Sequence, residues 1–473
     1  MDEDTLILQR RDLFIPPSQR GFLVAHAPMA AVRDRVIRGT GETRNVVAGR
    51  NPGIGVSIND PSISRMHCVL YGDADGISIQ DLSSTNGTYV NGKRIFCVTK
   101  ISNGDVVRIG ESLFIYHDDL SDVRPTIYTA PFLGQFWAPK IAMDTRLAAR
   151  AGHVLVTGQS GVGKELAAKI AADEIMSASK GHASRFQATN AAEFGTEDEA
   201  ITTLFGVKAG TYTGVSGRKG LLELYNGGAL FIDEAHRYPP RIQAALLRGI
   251  ETGEYRRPGD HSTFKSSVRL ILATNAPGKS CGLIEDLYNR LHSVHIPTLN
   301  RRRADAPEIF QGVLKSLVGG LFGQVAPQPS MRQAVHEAIR KCLYPEHMEA
   351  ICLADYDGVN TRKLTSLAMH ILAQINKGGM VQDAVDNAFF DVFGDMFERL
   401  CNRDDCSGDR EAGKSMKNCR RGKYEKQKAL ISELYRTHGT VAKTAREMEK
   451  AGHPVSQRWV SEYLKQWGLR GDG

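Results

Sequence analysis

Residues 153–165 read HVLVTGQSGVGKE, and their reading decides the fold. The apolar run HVLV breaks at a glycine. The Gly-x4-Gly-Lys frame then fills 158–164, and the helical stretch KELAAKIAADEIM follows. Glycines let backbone N–H groups wrap phosphate oxygens, and the N-terminus of the helix adds partial positive charge. Strand, glycine loop and helix in that order form a phosphate loop. The pattern continues downstream. GGALFIDEA precedes RIQAALLRGIETG, and SVRLILATN comes next. Strands alternating with helices predict a mostly parallel, doubly wound sheet over 135–300.

Chemistry follows from the strand ends. Gly158, Gly161 and Gly163 shape the loop, and Lys164 reaches the β- and γ-phosphates. Glu165 stands where a Ser or Thr usually holds Mg²⁺, so that ligand is missing. Asp233 is expected to hold Mg²⁺ through water, and Glu234 to polarise the attacking water. Two acids closing a strand are otherwise a solvated turn; a phosphate loop upstream favours catalysis. Asn275 ends another apolar strand, on the edge where such sheets bind ligands, and is a candidate γ-phosphate sensor or a turn-forming Asn.

Working outward, 473 residues exceed one core, so about three domains are expected. No run of about 18 apolar residues predicts a membrane span. The start, MDEDTLILQRR, has the wrong charge order for a secretory signal. Eight scattered cysteines without such a signal point to reduced thiols and a cytoplasmic location. Net charge is +7, and residues 411–473 hold 14 Lys/Arg against 7 Asp/Glu. A basic end on a neutral body suggests nucleic acid there, with a solvated basic tail as the competitor.

Residues 22–118 carry short alternating runs between Gly, Asn and Asp, which predicts an all-β sandwich. Residues 119–134 read as a linker, 301–378 as an all-α subdomain, and 379–422 as a second linker, polar and glycine-containing at 401–422. Residues 423–470 are helical again, with a short Gly/Pro break. Two helices joined so predict a helix-turn-helix, with a helical hairpin for packing or dimerisation as the alternative. Gln457, Arg458, Ser461 and Lys465 fall on the second helix, available to a major groove.

The central region resembles the AAA+ domain of bacterial sigma-54-dependent activators, the enhancer-binding proteins. GQSGVGKE, LFGVKAGTYTGV, GLLELYNGGALFIDEA, IQAALLRGIETGEYRRPG, VRLILATN, EDLYNRLHSVHIPTL and YDGVNTRKL follow in family order. The resemblance implies that Asn190 relays nucleotide state by pairing with Glu234. It implies that Arg290 is an arginine finger offered to a neighbour, and that Arg362 of the lid touches the γ-phosphate. A trans-acting arginine implies a homo-hexamer, with a dimer as the inactive form. Gly210, Tyr212, Thr213 and Gly214 match the loop that contacts sigma-54. Thr211 and Val215 are bulkier than the family's residues, which predicts a stiffer loop. His292, His295, Asn300, Arg301 and an extra residue in YDGVNTRKL also depart from the family, which predicts weakened ring assembly or ATPase rate.

The β-domain resembles the forkhead-associated (FHA) domain on Gly49–Arg50, SISRMH (62–67) and DLSSTNGTYVNG (81–92). Arg50, Ser64, Arg65 and Thr85 are then phosphothreonine donors, and Asn86 holds the peptide backbone. The C-terminal segment resembles a Fis-type helix-turn-helix. Together these imply a sigma-54-dependent activator using ATP and Mg²⁺. Its partners would be the sigma-54 RNA polymerase holoenzyme, an upstream DNA site and a phosphothreonine protein, with no membrane. One alternative is a DNA-binding regulator with a vestigial AAA+ module that acts by occupancy. Another is a remodelling ATPase with a target outside transcription.

Overall fold

Short alternating runs between tight turns build two sheets from the first part of the chain. Their strands are β1 (Gly21–His26), β2 (Val36–Arg38), β3 (Asn45–Gly49), β4 (Val56–Ser57), β5 (Cys68–Asp73), β6 (Gly76–Asp81), β7 (Thr88–Val90), β8 (Lys93–Arg94), β9 (Thr99–Ile101), β10 (Val106–Ile109) and β11 (Ser112–His117). One sheet runs β2-β1-β11-β10-β7-β8 and the other β4-β3-β5-β6-β9. Phe22, Val24, Val107, Phe114 and Tyr116 of the first meet Ala48, Cys68 and Ile79 of the second in one core. The computed structural model describes residues 20–27, 36–38, 45–52, 54–73, 76–121, 123, 134–178, 185–211, 216–276, 278–321, 329–376, 380–401 and 443.

Alternation fails on β11, where every residue is buried. Leu23 faces Ile115 across the β1–β11 pair. Both are fully buried, yet neither belongs to the core between the sheets. Successive strand residues point to opposite faces, so these two lie on the outer face. A 3₁₀ turn at Arg303–Asp305 and a helix at Pro345–Leu353 cover that face. The sandwich is therefore docked on the helical part of the nucleotide-binding region.

That region is built on β12 (Val154–Thr157), β13 (Phe186–Asn190), β16 (Ala229–Asp233), β19 (Arg269–Thr274) and β20 (His292–His295), in the order β13-β16-β19-β12-β20. Neighbours in this sheet are all parallel. A parallel sheet buries both faces, and two apolar clusters flank it. One holds residues of α1 (Ala138–Ala151) and α2 (Lys164–Ala178). The other holds residues of α3 (Glu197–Phe205) and of the helix Pro240–Thr252. Local signals set the helix ends. Thr196 caps α3 through the Glu199 N–H, and three acids occupy its first turn, where they complement the helix dipole. Two antiparallel hairpins project from this layer: β14 (Gly206–Val207) with β15 (Arg218–Lys219), and β17 (Glu254–Arg256) with β18 (Thr263–Lys265). Between them lie α4 (Leu221–Leu224) and α5 (Pro240–Thr252), and α6 (Glu285–Asn289) follows.

The all-α part comprises α7 (Ala306–Leu321), α8 (Pro329–Lys341), α9 (Pro345–Leu353), α10 (Thr361–Asn376) and α11 (Val381–Phe393). Helix α11 stands where a linker is expected from 379. Its Asp and Asn residues make VQDAVDNAFFDVF look polar, but Val385, Ala388 and Phe389 are buried, and α11 packs on α10. The chain divides into two compact units, Met1–Gly394 and Asp395–Gly473. The second begins with α12 (Asp395–Cys401). The expected helix-turn-helix, with Gln457, Arg458, Ser461 and Lys465, lies outside the described residues. Among the described residues no helix is long and apolar enough to cross a membrane.

Candidate functional site

The carboxyl ends of β12, β19 and β16 lie side by side, so the loop after β12 and the acids ending β16 flank one edge. Gly158, Gly161 and Gly163 all have positive φ, at +147°, +76° and +102°, a backbone that residues with a Cβ rarely adopt. Lys164 opens α2 and is nine-tenths buried. Its Nζ donates to the carbonyls of Gly158 and Gln159, each at 3.0 Å. Burial holds its ammonium below the usual lysine range; Asp233 and Glu234 oppose that shift, and Arg362 adds to it. Four predicted site residues thus share one electrostatic neighbourhood. Glu165 is exposed on the first turn of α2.

Asp233 accepts the Glu234 N–H at 2.8 Å through Oδ1. Glu234 itself has φ +51°, in the left-handed region, and pairs with Arg237. Asn190 lies opposite Asp233 in the β13–β16 register. Its side chain accepts the Ala192 N–H at 2.9 Å, so the expected Asn190–Glu234 pair is not formed here. Asn275 follows β19 and is exposed. Beside it the Thr274 hydroxyl bonds the Cys281 carbonyl at 3.0 Å and meets Nδ1 of His236 at 3.1 Å. Arg290 is remote from this cluster. It is mostly exposed and pairs with Glu251 at 2.9 Å.

The all-α part closes on the phosphate loop through residues that motif reading missed. The Thr361 N–H and hydroxyl both bond the Gly161 carbonyl, at 3.1 and 2.5 Å. Asn360 is fully buried; it donates to the Ser160 carbonyl at 3.0 Å and accepts the Leu299 N–H at 2.8 Å. A Cβ on Gly161 would lie 2.6 Å from the Val359 carbonyl oxygen, so the approach requires glycine. The buried Arg302 donates to the Val162 carbonyl at 2.7 Å. Asn300 bonds Asp355 and the Tyr356 N–H. The departures from the family pattern at 300 and 357–360 are thus built into lid contacts. The sequence signal was the polar Asn-Thr pair beside Arg362.

The hairpin β14–β15 carries the segment 208–217. Gly210 has φ +81°; Tyr212, Thr213 and Gly214 lie outside the described residues. The Thr211 hydroxyl lies 2.8 Å from the Lys208 carbonyl and 3.2 Å from the Pro258 carbonyl, at the tip of β17–β18, with its one proton shared between them. Restraint at this residue comes from its hydroxyl as well as its β-branch.

On the sandwich, Arg50, Ser64, Arg65, Thr85 and Asn86 gather on adjoining loops. The Arg50 N–H bonds the Ser64 carbonyl at 2.9 Å and the Asn51 N–H the Arg65 carbonyl at 3.2 Å. The Ser64 hydroxyl accepts the Thr85 N–H at 3.1 Å, and Asn86 Nδ2 donates to the Ser62 carbonyl at 2.6 Å. Beneath them His67 is fully buried. Its Nδ1 accepts the Ser64 N–H at 3.1 Å and its Nε2 faces the Gly87 carbonyl at 3.1 Å. An amide must donate, so the proton sits on Nε2 and the ring is neutral. Burial keeps its pKa below the usual histidine value, against the pull of Gly87 and Asp81. Arg50 and Arg65 are exposed, with no ion pair shown among the described residues.

A phosphate loop, an acidic strand end and a helical lid on a five-stranded parallel sheet define a nucleotide-binding module of the AAA+ class. A sandwich with exposed arginines on its loops is joined to it. Residues 138–297 match the family described as the Sigma-54 interaction domain, and residues 46–110 match the FHA domain. The chain thus carries one region similar to the Sigma-54 interaction domain and another similar to the FHA domain. The phenol regulator MopR of Acinetobacter guillouiae is 42% identical over 161 residues, 33% of this chain and 28% of that protein. The Nif-specific regulatory protein of Azotobacter vinelandii is 39% identical over 229 residues, 45% and 42% of the two chains. The corresponding protein of Rhizobium leguminosarum bv. trifolii is 35% identical over 242 residues, 49% and 65%. The chain thus spans less than half the length of the first two relatives.

Proposed function

We propose that this chain is a sigma-54-dependent transcriptional activator that couples ATP hydrolysis to open-complex formation under phosphothreonine control. The observation that carries this reading is the cluster of Lys164, Asp233, Glu234 and Arg362 at one sheet edge. The N–H groups of 158–164 would cradle the phosphates. Lys164 would exchange its two carbonyl partners for phosphate oxygens. Glu234 would take up the attacking water once its pairing with Arg237 opens, and Asn190 would then hold it in register with nucleotide state. Asp233 uses Oδ1 to accept the Glu234 N–H, which leaves its other carboxylate oxygen to hold Mg²⁺ through water. When bound, Mg²⁺ would neutralise charge on the phosphate oxygens.

Arg290 is exposed and outside its own site, as an arginine offered to a neighbouring subunit must be. Its use requires a ring of head-to-tail copies. In this reading Asn275 and Arg362 sense the γ-phosphate, and the loop at Gly210, Tyr212, Thr213 and Gly214 grips sigma-54. Arg50, Ser64, Arg65, Thr85 and Asn86 take the phosphothreonine, and Gln457, Arg458, Ser461 and Lys465 read an upstream DNA site. The occupancy alternative rests on the altered 292–303 region, within which Asn300 bonds Asp355 and the Tyr356 N–H. The test is open-complex formation on a sigma-54 promoter by wild type, Thr213→Ala and Glu234→Gln. Wild type should open the promoter and both variants should fail; wild type that hydrolyses ATP without opening it overturns the reading.

A further inference from the structure

The recognition loops and the phosphate loop are joined by an unbroken chain of hydrogen bonds, ion pairs and packed helix. It begins at Asn86, whose amide holds the Ser62 carbonyl at 2.6 Å. The Ser62 hydroxyl donates to Asp60 Oδ1 at 2.5 Å and accepts the Glu111 N–H at 2.8 Å. Asp60 is buried, and its Oδ2 accepts the Ser112 hydroxyl at 3.0 Å. The turn between β10 and β11 is thereby clamped to the recognition loop. Gly110 makes this possible: a Cβ there would lie 2.3 Å from the Ser62 hydroxyl.

The same turn belongs to the face that docks on the lid. Arg108, opposite Leu113 in the β10–β11 register, lies on the outer face. Its guanidinium stacks over Tyr89 with a 4.0 Å centroid distance and pairs with Glu349 of α9 at 3.2 Å. Glu349 is fully buried and Arg108 nearly so. A buried pair tolerates little displacement, because separating its members strands a charge away from water. Helix α9 leads directly into Tyr356, whose hydroxyl bonds the Ile351 carbonyl at 2.7 Å, and then into Asn360, Thr361 and Arg362 at the phosphate loop. A parallel connection runs through Arg302–Asp305, which holds the Val162 carbonyl at one end and packs on β1 at the other.

We propose that the outer face of the FHA sheet is a coupling surface for the chain's own lid, so that phosphopeptide and nucleotide occupancy alter each other's affinity. This rests on the functional reading above and adds a route to it. Capture of a peptide by Asn86 acts on the Ser62 loop and moves the β10–β11 turn, and Arg108–Glu349 passes that shift to α9. Coupling between binding sites is reciprocal: one factor must appear in both directions.

The experiment uses the full chain, a fluorescent ADP analogue, and a phosphothreonine peptide selected on the full chain from a randomised library. Saturating peptide should change the ADP analogue's Kd at least about fivefold, and saturating ADP analogue should change the peptide's Kd by the same factor. In Arg108→Met/Glu349→Met, which keeps side-chain volume without charge, each ligand alone should bind within about twofold of wild type while the factor falls to about one. Ser112→Ala leaves the lid interface intact and should also lower the factor. A wild-type factor of one with both ligands bound overturns the proposal, as does a wild-type factor in both variants. If no phospho-selective peptide emerges while the ADP analogue binds normally, the phosphothreonine reading falls and this inference falls with it.

Discussion

Two places on this molecule are proposed to hold phosphate, and they would do it by opposite means. Around Lys164 the candidate donors are backbone N–H groups in a glycine loop, and the lysine is nearly buried, with two acids and Arg362 beside it. On the sandwich the donors are side chains. Arg50 and Arg65 are exposed, and the rigidity lies one layer below, in buried His67. A site that does chemistry needs charge held out of water, where each interaction is stronger. A site that recognises and releases a peptide is better served by guanidinium forks in solvent, set on a stiff base.

Four measurements would break or sharpen that comparison. The largest effect belongs to the buried site. Glu234→Gln should lower the ATPase kcat by about 100-fold or more while nucleotide binding persists; an unchanged kcat in a steady-state assay removes Glu234 from the chemistry. At the exposed site, Arg50→Ala should weaken phosphothreonine-peptide binding by about 2 kcal/mol, roughly 30-fold, without changing Tm. Calorimetric titration reads this directly, and equal affinities would deny Arg50 its role. His153 tests the folding of the sheet beneath the buried site. Its Nδ1 accepts the Leu270 N–H at 2.9 Å, and burial first, then Arg269 and His292, push its pKa down to about 4. Unfolded histidine binds its proton near the ordinary value, so this contribution is complete above about pH 6.5 and lost as pH falls toward 4. The loss should reach about 1–2 kcal/mol by pH 5. Denaturant melts of wild type and His153→Gln should converge as the pH is lowered; parallel curves would contradict it. The smallest effect is Thr361→Val, which removes one hydroxyl bond from the phosphate loop and should raise the nucleotide Kd by about fivefold, near 1 kcal/mol.

Much of the geometry of both candidate sites was legible in the sequence because its determinants are local. The run 158–164 carries its own turn, cation and helix start, and 62–67 and 81–92 carry loops closed over short separations. What escaped reading joins distant positions. Arg302 with Val162, Thr361 with Gly161 and Arg108 with Glu349 each span more than a hundred residues, and no periodicity advertises such pairs. The docked outer face of β1 and β11 was hidden for a related reason. LVAH and LFIYH read as apolar strands whether one face is covered or two. Helix α11 was hidden by composition, because its Asp and Asn side chains mask an apolar stripe at 385, 388 and 389.

Glu234 carries a last consequence. At φ +51° it occupies a conformation that costs a residue with a Cβ about 1 kcal/mol or more. Glycine or asparagine would sit there more comfortably. Glu234→Gly should therefore make the fold harder to melt while silencing hydrolysis.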